Sequence, residues 1–158
     1  TKALKLIYIL DELSIKQSGI PFFNLQYKVW KYGPVNEELF VDLTGKPTLF
    51  KEYIQTKTDR FNNVTVTAKK DFCDDEFTQN DLDLLNFVVE KFGKKTTTEL
   101  KKYTHRENSP WYNIAKANNV LELLEKEKIN TTEYYIDFLE LIAFDERKMK
   151  LYNNYLNI

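Results

Sequence analysis

The sequence predicts a mainly α-helical α+β fold, a compact helical domain with a small two- or three-stranded antiparallel sheet. In several segments apolar residues recur three and four positions apart, as on one face of a helix, while two other segments alternate apolar and polar residues. The 158 residues include only four glycines and four prolines, which leaves room for long helices. Since this length corresponds to about one domain, we expect residues 1–158 to form a single domain with its own core.

A helix followed by a strand is predicted at the start of the chain. Residues Ala3 to Leu13 have apolar side chains at helical spacing, and Gly19-Ile20-Pro21 interrupts the pattern. From Phe23 to Val29 the period changes to two, which is typical of a half-buried strand. The helical stripe consists of Leu6, Ile9, Leu10 and Leu13.

A second helix and a second strand are predicted next. Gly33-Pro34 is expected to stop the first strand and start a helix, with Pro34 at its first position and Glu37 and Glu38 near its positive end. Residues 45–63 are mostly polar and predict a short helix flanked by loops. Residues 64–68 alternate again, and we expect this strand to pair with the first one.

The second half of the chain predicts helices. One runs from Thr78 to Phe92 with Gly93 as C-cap, and a shorter one spans about residues 97–104. A third begins after the N-cap Ser109 with proline at its first position and continues through residue 117. Residues 134–144 are apolar nearly all round and are expected to be buried. The stripe of the first of these helices consists of Leu82, Leu85, Val89 and Phe92, widened by Leu84 and Val88.

Charge is unevenly distributed although the net charge is only −1, from 23 basic and 24 acidic residues. Residues 71–90 contain seven acidic side chains and no lysine or arginine, and six basic side chains follow in residues 91–106. Solvated helix faces account for this pattern, and an acidic rim that binds a basic partner is the alternative. The acidic residues are Asp71, Asp74, Asp75, Glu76, Asp81, Asp83 and Glu90, and the basic residues are Lys91, Lys94, Lys95, Lys101, Lys102 and Arg106.

The sequence does not support an enzyme. His105 is the only histidine, and Cys73, the only cysteine, lies among aspartates that would raise the pKa of its thiol and suppress the thiolate. The four glycines are scattered, so no phosphate-binding loop is present, and no multi-cysteine zinc site can form. We therefore predict no catalytic residues, no metal and no cofactor. The single cysteine also fits a reducing compartment, and no apolar run approaches the roughly 20 residues of a membrane span, so we expect a cytoplasmic protein without a membrane segment.

A helix-turn-helix is the main nucleic-acid alternative. Residues 96–117 contain two short predicted helices with basic residues nearby, but the second helix begins with Pro110 and Trp111 and offers no arginine for a guanine. A large apolar side chain at that position favours packing over groove insertion, so we do not expect nucleic acid as a partner. His105 is interpreted as a hydrogen-bonded connector and Trp111 as a core anchor, although tryptophan is also frequent in binding hot spots.

Three motifs in order resemble the Panacea domain, the domain of the SocA-like family of bacterial and phage antitoxins, which includes phage-associated proteins. The resemblance covers about residues 3–117 and leaves the predicted C-terminal helices, 118–158, unassigned. The motifs are Lys5-Leu6-Ile7-Tyr8, Trp30-Lys31-Tyr32-Gly33-Pro34-Val35 with Glu38-Leu39-Phe40, and Thr104-His105-Arg106-Glu107-Asn108-Ser109-Pro110-Trp111.

The resemblance implies a non-enzymatic antitoxin that binds a toxin encoded beside it and blocks it or delivers it to a protease. Because the family domain serves very different toxins, its shared residues are expected to hold the fold. We expect the chain to lack the separate DNA-binding domain that many relatives carry, which weakens any carry-over of autoregulation. The family-motif residues are Tyr8, Trp30, Tyr32, Gly33, Pro34, Val35, His105, Glu107, Pro110 and Trp111.

The toxin-binding surface is predicted around the strand end and the acidic segment, where a mixture of apolar and acidic side chains would suit a basic toxin. A phage-associated adaptor without a toxin and a DNA-binding autoregulator stay open as alternatives, and a host protease or a second copy of the chain as further partners. The predicted contact residues are Tyr32, Phe72, Asp74, Asp75, Glu76 and Phe77.

Overall fold

Helices dominate the computed structural model, which describes residues 1–156. Over these residues it has seven α-helices, one 3₁₀ turn and two separate antiparallel strand pairs, which confirms the predicted mainly helical α+β class. None of these helices combines the length and the apolar character that a bilayer-spanning segment requires. The elements are α1 Lys2–Ser18, β1 Lys28–Trp30, β2 Gly33–Val35, α2 Glu37–Thr44, β3 Ile54–Thr58, β4 Val64–Ala68, α3 Gln79–Phe92, α4 Thr97–Thr104, α5 Pro110–Ala117, α6 Leu121–Glu125, the 3₁₀ turn Leu139–Leu141 and α7 Glu146–Leu156.

Helix α1 lies at the centre of the main core, as its apolar stripe predicts. Ile9 and Leu10 are buried, and the core cluster around them also receives side chains from α3, α4, the 138–142 region and α7. The helix ends at Gly19, which has a φ of 80° and donates its backbone N–H to the Ile15 carbonyl. The C-terminal residues therefore share a core with the N-terminal helix.

The predicted strand from Phe23 to Val29 is wrong over residues 23–27, because only Lys28–Trp30 form a strand. Asn24 has a φ of 54°, in the left-handed region that interrupts extended chain. The buried Asp11 carboxylate accepts the Phe23 backbone N–H at 2.6 Å and the Tyr27 hydroxyl at 2.6 Å. These contacts hold the segment as a loop over α1.

The predicted helix start at Gly33-Pro34 is also wrong, because Gly33–Val35 form β2 and pair with β1 across a two-residue turn. Helix α2 begins instead at Glu37, where the Asn36 side chain accepts the Leu39 backbone N–H at 3.0 Å. Glu37 does lie in the first turn of α2, where the positive end of the helix dipole favours a carboxylate.

The short helix predicted within residues 45–63 does not form. Residues 54–58 are strand β3, which pairs in register with β4 at residues 64–68. The second strand is therefore confirmed in position but wrong in partner, since it pairs with β3 and not with the first strand. Asp42 stabilises the turn before β3 by accepting the backbone N–H groups of Thr48 at 2.5 Å and Leu49 at 2.9 Å.

Helices α3, α4 and α5 are confirmed close to their predicted limits. Thr78 and Thr96 each form a capping box, and Ser109 caps α5 by accepting the Tyr112 backbone N–H at 3.2 Å. The predicted inner stripe of α3 needs one correction, because Val89 is 55% exposed while Val88 is buried.

Residues 134–144 are only partly buried. Phe138 and Ile142 lie in the core, but Tyr135 is half exposed and Phe144 is fully exposed, so the predicted all-round burial is wrong. Residues 130–136 run antiparallel to β1 and extend that sheet locally: the Val29 N–H donates to the Tyr134 carbonyl at 2.9 Å.

Candidate functional site

The sequence motifs meet where the β1–β2 turn contacts the α4–α5 connector and the start of α1. We call this contact region the hairpin junction. Trp111 at the start of α5 is 1% exposed, and its indole N–H donates to the Trp30 carbonyl at 2.9 Å. Pro110 at the first helical position and the Ser109 cap set the direction of α5, so that the indole passes under the strand end.

His105 links the same two elements beside Trp111. Its Nε2 lies 3.1 Å from the Lys31 carbonyl, its Nδ1 lies 2.9 Å from the Lys101 carbonyl, and its ring is 3.7 Å from the Trp111 ring. A neutral imidazole donates from only one nitrogen, so the tautomer decides which carbonyl it bonds. Burial, together with the nearby Lys101 and Lys5 ammonium groups, lowers the pKa of His105 to about 4.

Gly33 allows the hairpin and α1 to approach closely. Its φ of 126° lies in a region of backbone conformation that residues other than glycine rarely adopt. A Cβ added there would lie 2.7 Å from Lys5 Nζ and 3.3 Å from Thr104 Oγ1. Lys5 in turn donates a hydrogen bond to the Tyr32 carbonyl, so the turn, α1 and α4 converge on this glycine.

We expect Gly33→Ala to lower the free energy of unfolding by about 2 kcal/mol, because the new methyl group strains the backbone and displaces the Lys5 amine. Urea unfolding followed by circular dichroism measures the loss. The double variant Lys5→Met/Gly33→Ala, compared with Lys5→Met, separates the two contributions, since only the backbone strain persists in it. A Gly33→Ala protein as stable as the parent would contradict this role.

A buried ion pair lies along α1 next to the hairpin junction. The Glu12 side chain is fully buried, pairs with Lys16 at 3.0 Å, and accepts a hydrogen bond from the Arg106 guanidinium. The Tyr8 hydroxyl and Glu12 Oε2 have no hydrogen-bond partner within residues 1–156. Burial, and then the Glu12 carboxylate, raise the pKa of Tyr8, so the phenol stays protonated.

Tyr32 is the exposed residue of the β1–β2 turn. Its side chain is 57% exposed, with Lys31 Nζ 4.7 Å and Lys101 Nζ 5.2 Å from the ring centroid. An exposed ring with two ammonium groups beside it can contact a partner through both its apolar face and the neighbouring positive charge.

The acidic segment lies elsewhere, on the surface near the end of α1. Phe77 stacks on Phe22 at 6.0 Å and contacts Phe72 at 5.6 Å, while Phe72 itself is 65% exposed. Asp74 and Asp75 are exposed, as is Glu76, which lines a groove of about 460 Å³ between the end of α1 and the start of α3.

Tyr32 and the acidic segment lie near opposite ends of α1. Lys5 holds the Tyr32 carbonyl near the start of α1, whereas Gln17 lines the groove beside Glu76 near its end. Twelve helical residues correspond to about 18 Å along the axis. Within the described residues no hydrogen bond, ion pair or ring contact joins Tyr32 to residues 71–77.

The other residues with chemical interest are dispersed. Cys73 is exposed while His105 is held among carbonyl groups. Glu107 is exposed in the connector before α5. In the part of the chain that the structure describes, no three His, Cys, Asp or Glu side chains are arranged to hold a metal ion. Residues 97–117 do form two short helices, and Pro110 and Trp111 at the start of the second are buried.

Sequence reasoning missed several buried charged residues. Lys5, Asp11, Glu12 and Asp42 occupy positions that an amphipathic pattern assigns to solvent, yet all four are at most 4% exposed. Only the first helix motif, which contains Lys5, drew attention to one of them. Lys5 and Glu12 have partners 27 and 94 residues away, whereas Asp42 accepts from loop residues only six to eight positions on.

The fold and these contacts define a small helical α+β protein whose motif residues hold a strand pair against a helix connector. The model of the family described as antitoxin SocA-like, Panacea domain, matches residues 4–112. The chain belongs to this family. No curated protein and no solved structure matches the chain. Family membership supports a role related to toxin–antitoxin systems and suggests a protein partner.

Proposed function

We propose that this chain is the antitoxin of a toxin–antitoxin pair and neutralises its cognate toxin by direct binding, without catalysis. Its membership of the SocA-like family carries the proposal. The hairpin junction supports it, because the motif side chains there are engaged with each other: Trp111 bonds Trp30, and His105 lies against Trp111 and the Lys31 carbonyl. Selection of the toxin is therefore left to the exposed surface.

The acidic groove is the surface that we assign to the toxin. Phe22 and Phe77 supply apolar lining, Glu76 and Asp81 supply negative charge, and Phe72 projects beside them. A concave apolar groove with an acidic edge complements a helix or loop of a toxin that carries basic side chains next to apolar ones. Tyr32, at the other end of α1, would contact the toxin separately.

Charge reversal tests the groove. The triple variant Asp74→Lys, Asp75→Lys, Glu76→Lys is expected to weaken toxin binding at least about tenfold at low salt, because complementary charges become repulsive. The matched control reverses Glu52, Glu90 and Glu125, which are exposed and form no ion pair among the described residues. Binding is measured by calorimetry or surface plasmon resonance with the protein encoded by the neighbouring gene.

Rescue of growth tests the function itself. Co-expression with the neighbouring gene should restore growth, and the two proteins should purify as a complex. Unchanged toxin levels in rescued cells would indicate blocking, whereas a fall that depends on a host protease would indicate delivery for proteolysis. A neighbouring gene product that is harmless and does not bind would overturn the antitoxin proposal. If the two triple variants lose toxin affinity equally, the assignment of the groove as the toxin-binding surface is overturned.

A further inference from the structure

A second cavity, of about 390 Å³, opens beside the hairpin junction. Its apolar walls include Leu4, Val35 and Phe40, and the Trp30 ring packs edge-to-face on Phe40 at 5.3 Å between centroids. Lys5 also lines this cavity. It is therefore an apolar site with a charged group in its wall.

Lys5 differs from the other two buried lysines of this region. Lys28 is 7% exposed and pairs with two glutamates at 2.7 and 2.5 Å, and Lys31 is 7% exposed and pairs with Glu127 at 2.9 Å. Lys5 is 4% exposed, but no carboxylate within residues 1–156 lies in ion-pair range of it. Its only hydrogen-bond acceptor there is the Tyr32 carbonyl, although an ammonium group has three protons to donate.

The Trp30 indole shows the same imbalance. The Trp111 N–H has an acceptor, the Trp30 carbonyl, whereas the Trp30 Nε1–H is buried and has no acceptor within the described residues. A buried donor without a partner costs roughly 1–3 kcal/mol. Lys5 and Trp30 line the same cavity, which thus combines unused hydrogen-bond donors with apolar walls.

We propose that this cavity binds a carboxylate carried on an apolar group, with Lys5 as its ion-pair partner. A carboxylate only accepts hydrogen bonds, which matches a site with surplus donors, and its apolar stem would contact Leu4, Val35 and Phe40. Burial makes the ion pair stronger than it would be at the surface. Lys101, which lies close enough to influence Lys5 electrostatically, adds positive potential.

The state of the Lys5 amine provides a spectroscopic signature. Burial, and to a smaller extent Lys101, lower the pKa of Lys5 to about 8. A bound carboxylate favours the charged amine, so the pKa of Lys5 should rise when the site is filled. This inference does not rest on the antitoxin role, because the cavity lies at the opposite end of α1 from the acidic groove.

Titration with hexanoate and with hexanamide tests the site. The two probes share an apolar chain and differ in the carboxylate. Hexanoate is expected to shift the Trp30 indole N–H and the Lys5 side-chain resonances in NMR spectra and to bind at least tenfold more tightly than hexanamide. It should also raise the pKa of Lys5, because its carboxylate favours the charged amine. Equal responses to both probes, or no response, would overturn the proposal.

Variants identify the residue responsible and the source of the carboxylate. Lys5→Met should abolish the preference for hexanoate, whereas Lys2→Met, on the same helix, should leave it unchanged. Trp30→Phe keeps an aromatic wall and should weaken hexanoate binding, because it removes the indole N–H donor.

Two short acetylated peptides test whether the carboxylate comes from a chain terminus or from a side chain. One ends in leucine with a free carboxylate, and the other is amidated and carries glutamate beside leucine. A preference confined to hexanoate would indicate a free acid. Retention of the preference in Lys5→Met would overturn the assignment to Lys5.

Discussion

Replacement of Trp111 by alanine is expected to lower the free energy of unfolding by about 3–5 kcal/mol, the range for large aromatic side chains removed from a core. Trp111 is 1% exposed and packs in a cluster with Val29, Ala115 and Leu124, so its loss would leave a cavity between β1, α5 and α6. The variant also removes the hydrogen bond to the Trp30 carbonyl. Both losses act on the contact that holds the hairpin to α5.

Urea unfolding followed by circular dichroism measures this effect. Phe144→Ala is the matched control, since Phe144 is fully exposed and its removal should change stability by less than about 0.5 kcal/mol. Trp111→Phe separates packing from hydrogen bonding, because it keeps an aromatic ring and loses the N–H donor. If Trp111→Ala costs no more than Phe144→Ala, Trp111 does not anchor the junction.

The helices could be predicted because their signals are local. The stripe of α1, the Thr78 and Thr96 capping boxes and the Ser109-Pro110 start of α5 each lie within a few residues and act through the backbone of the same segment. The strands could be predicted less reliably, although each pairs with its neighbour in sequence, because contacts from other parts of the chain decide where a strand begins. The alternation from Phe23 resembles a strand, but the Asp11 carboxylate on α1 holds that segment in a loop.

Gly33-Pro34 shows a second limit to predicting the strands from the sequence. The dipeptide is compatible with a helix start and equally with a short edge strand, where proline loses no needed donor. In the structure Gly33 has a φ of 126°, a backbone conformation that favours glycine, and Lys5 from α1 approaches it closely. Similarly, β3 carries a polar pattern over residues 54–58 and forms only because β4 pairs with it.

The sequence motifs identified residues of the candidate site but did not show how these residues are arranged in space. Lys5, Gly33 and Thr104 converge on one point, while 28 residues separate the first two and 71 the last two in the sequence. The motif order gave the family, and the acidic composition of residues 71–77 gave a surface hypothesis. The buried, unpaired amine of Lys5 became evident only once the positions of all nearby carboxylates were known.

Acidification is expected to destabilise the protein through His105. In the folded chain its pKa is about 4, whereas the unfolded chain has an ordinary value near 6.5. Between these two pH values the unfolded state binds more protons than the folded state, so stability falls as pH decreases. The 2.5-unit difference corresponds to about 3 kcal/mol, present in full above pH 6.5 and lost by pH 4.

A His105→Gln variant isolates this contribution from that of the carboxylates. Glutamine cannot titrate but can still donate to a carbonyl, so its free energy of unfolding should depend less on pH between 6.5 and 4 than that of the parent. We measure both free energies of unfolding in urea at half-unit steps of pH. From pH 6.5 to pH 4 the value for the parent should fall by about 3 kcal/mol relative to the value for the variant. Parallel curves would mean that the imidazole is not held neutral by burial.

The Lys31 carbonyl that His105 contacts lies in the β1–β2 turn. Acidification from pH 6.5 to pH 4 should therefore loosen this turn before the core. Hydrogen exchange at the Gly33 amide would report that local opening.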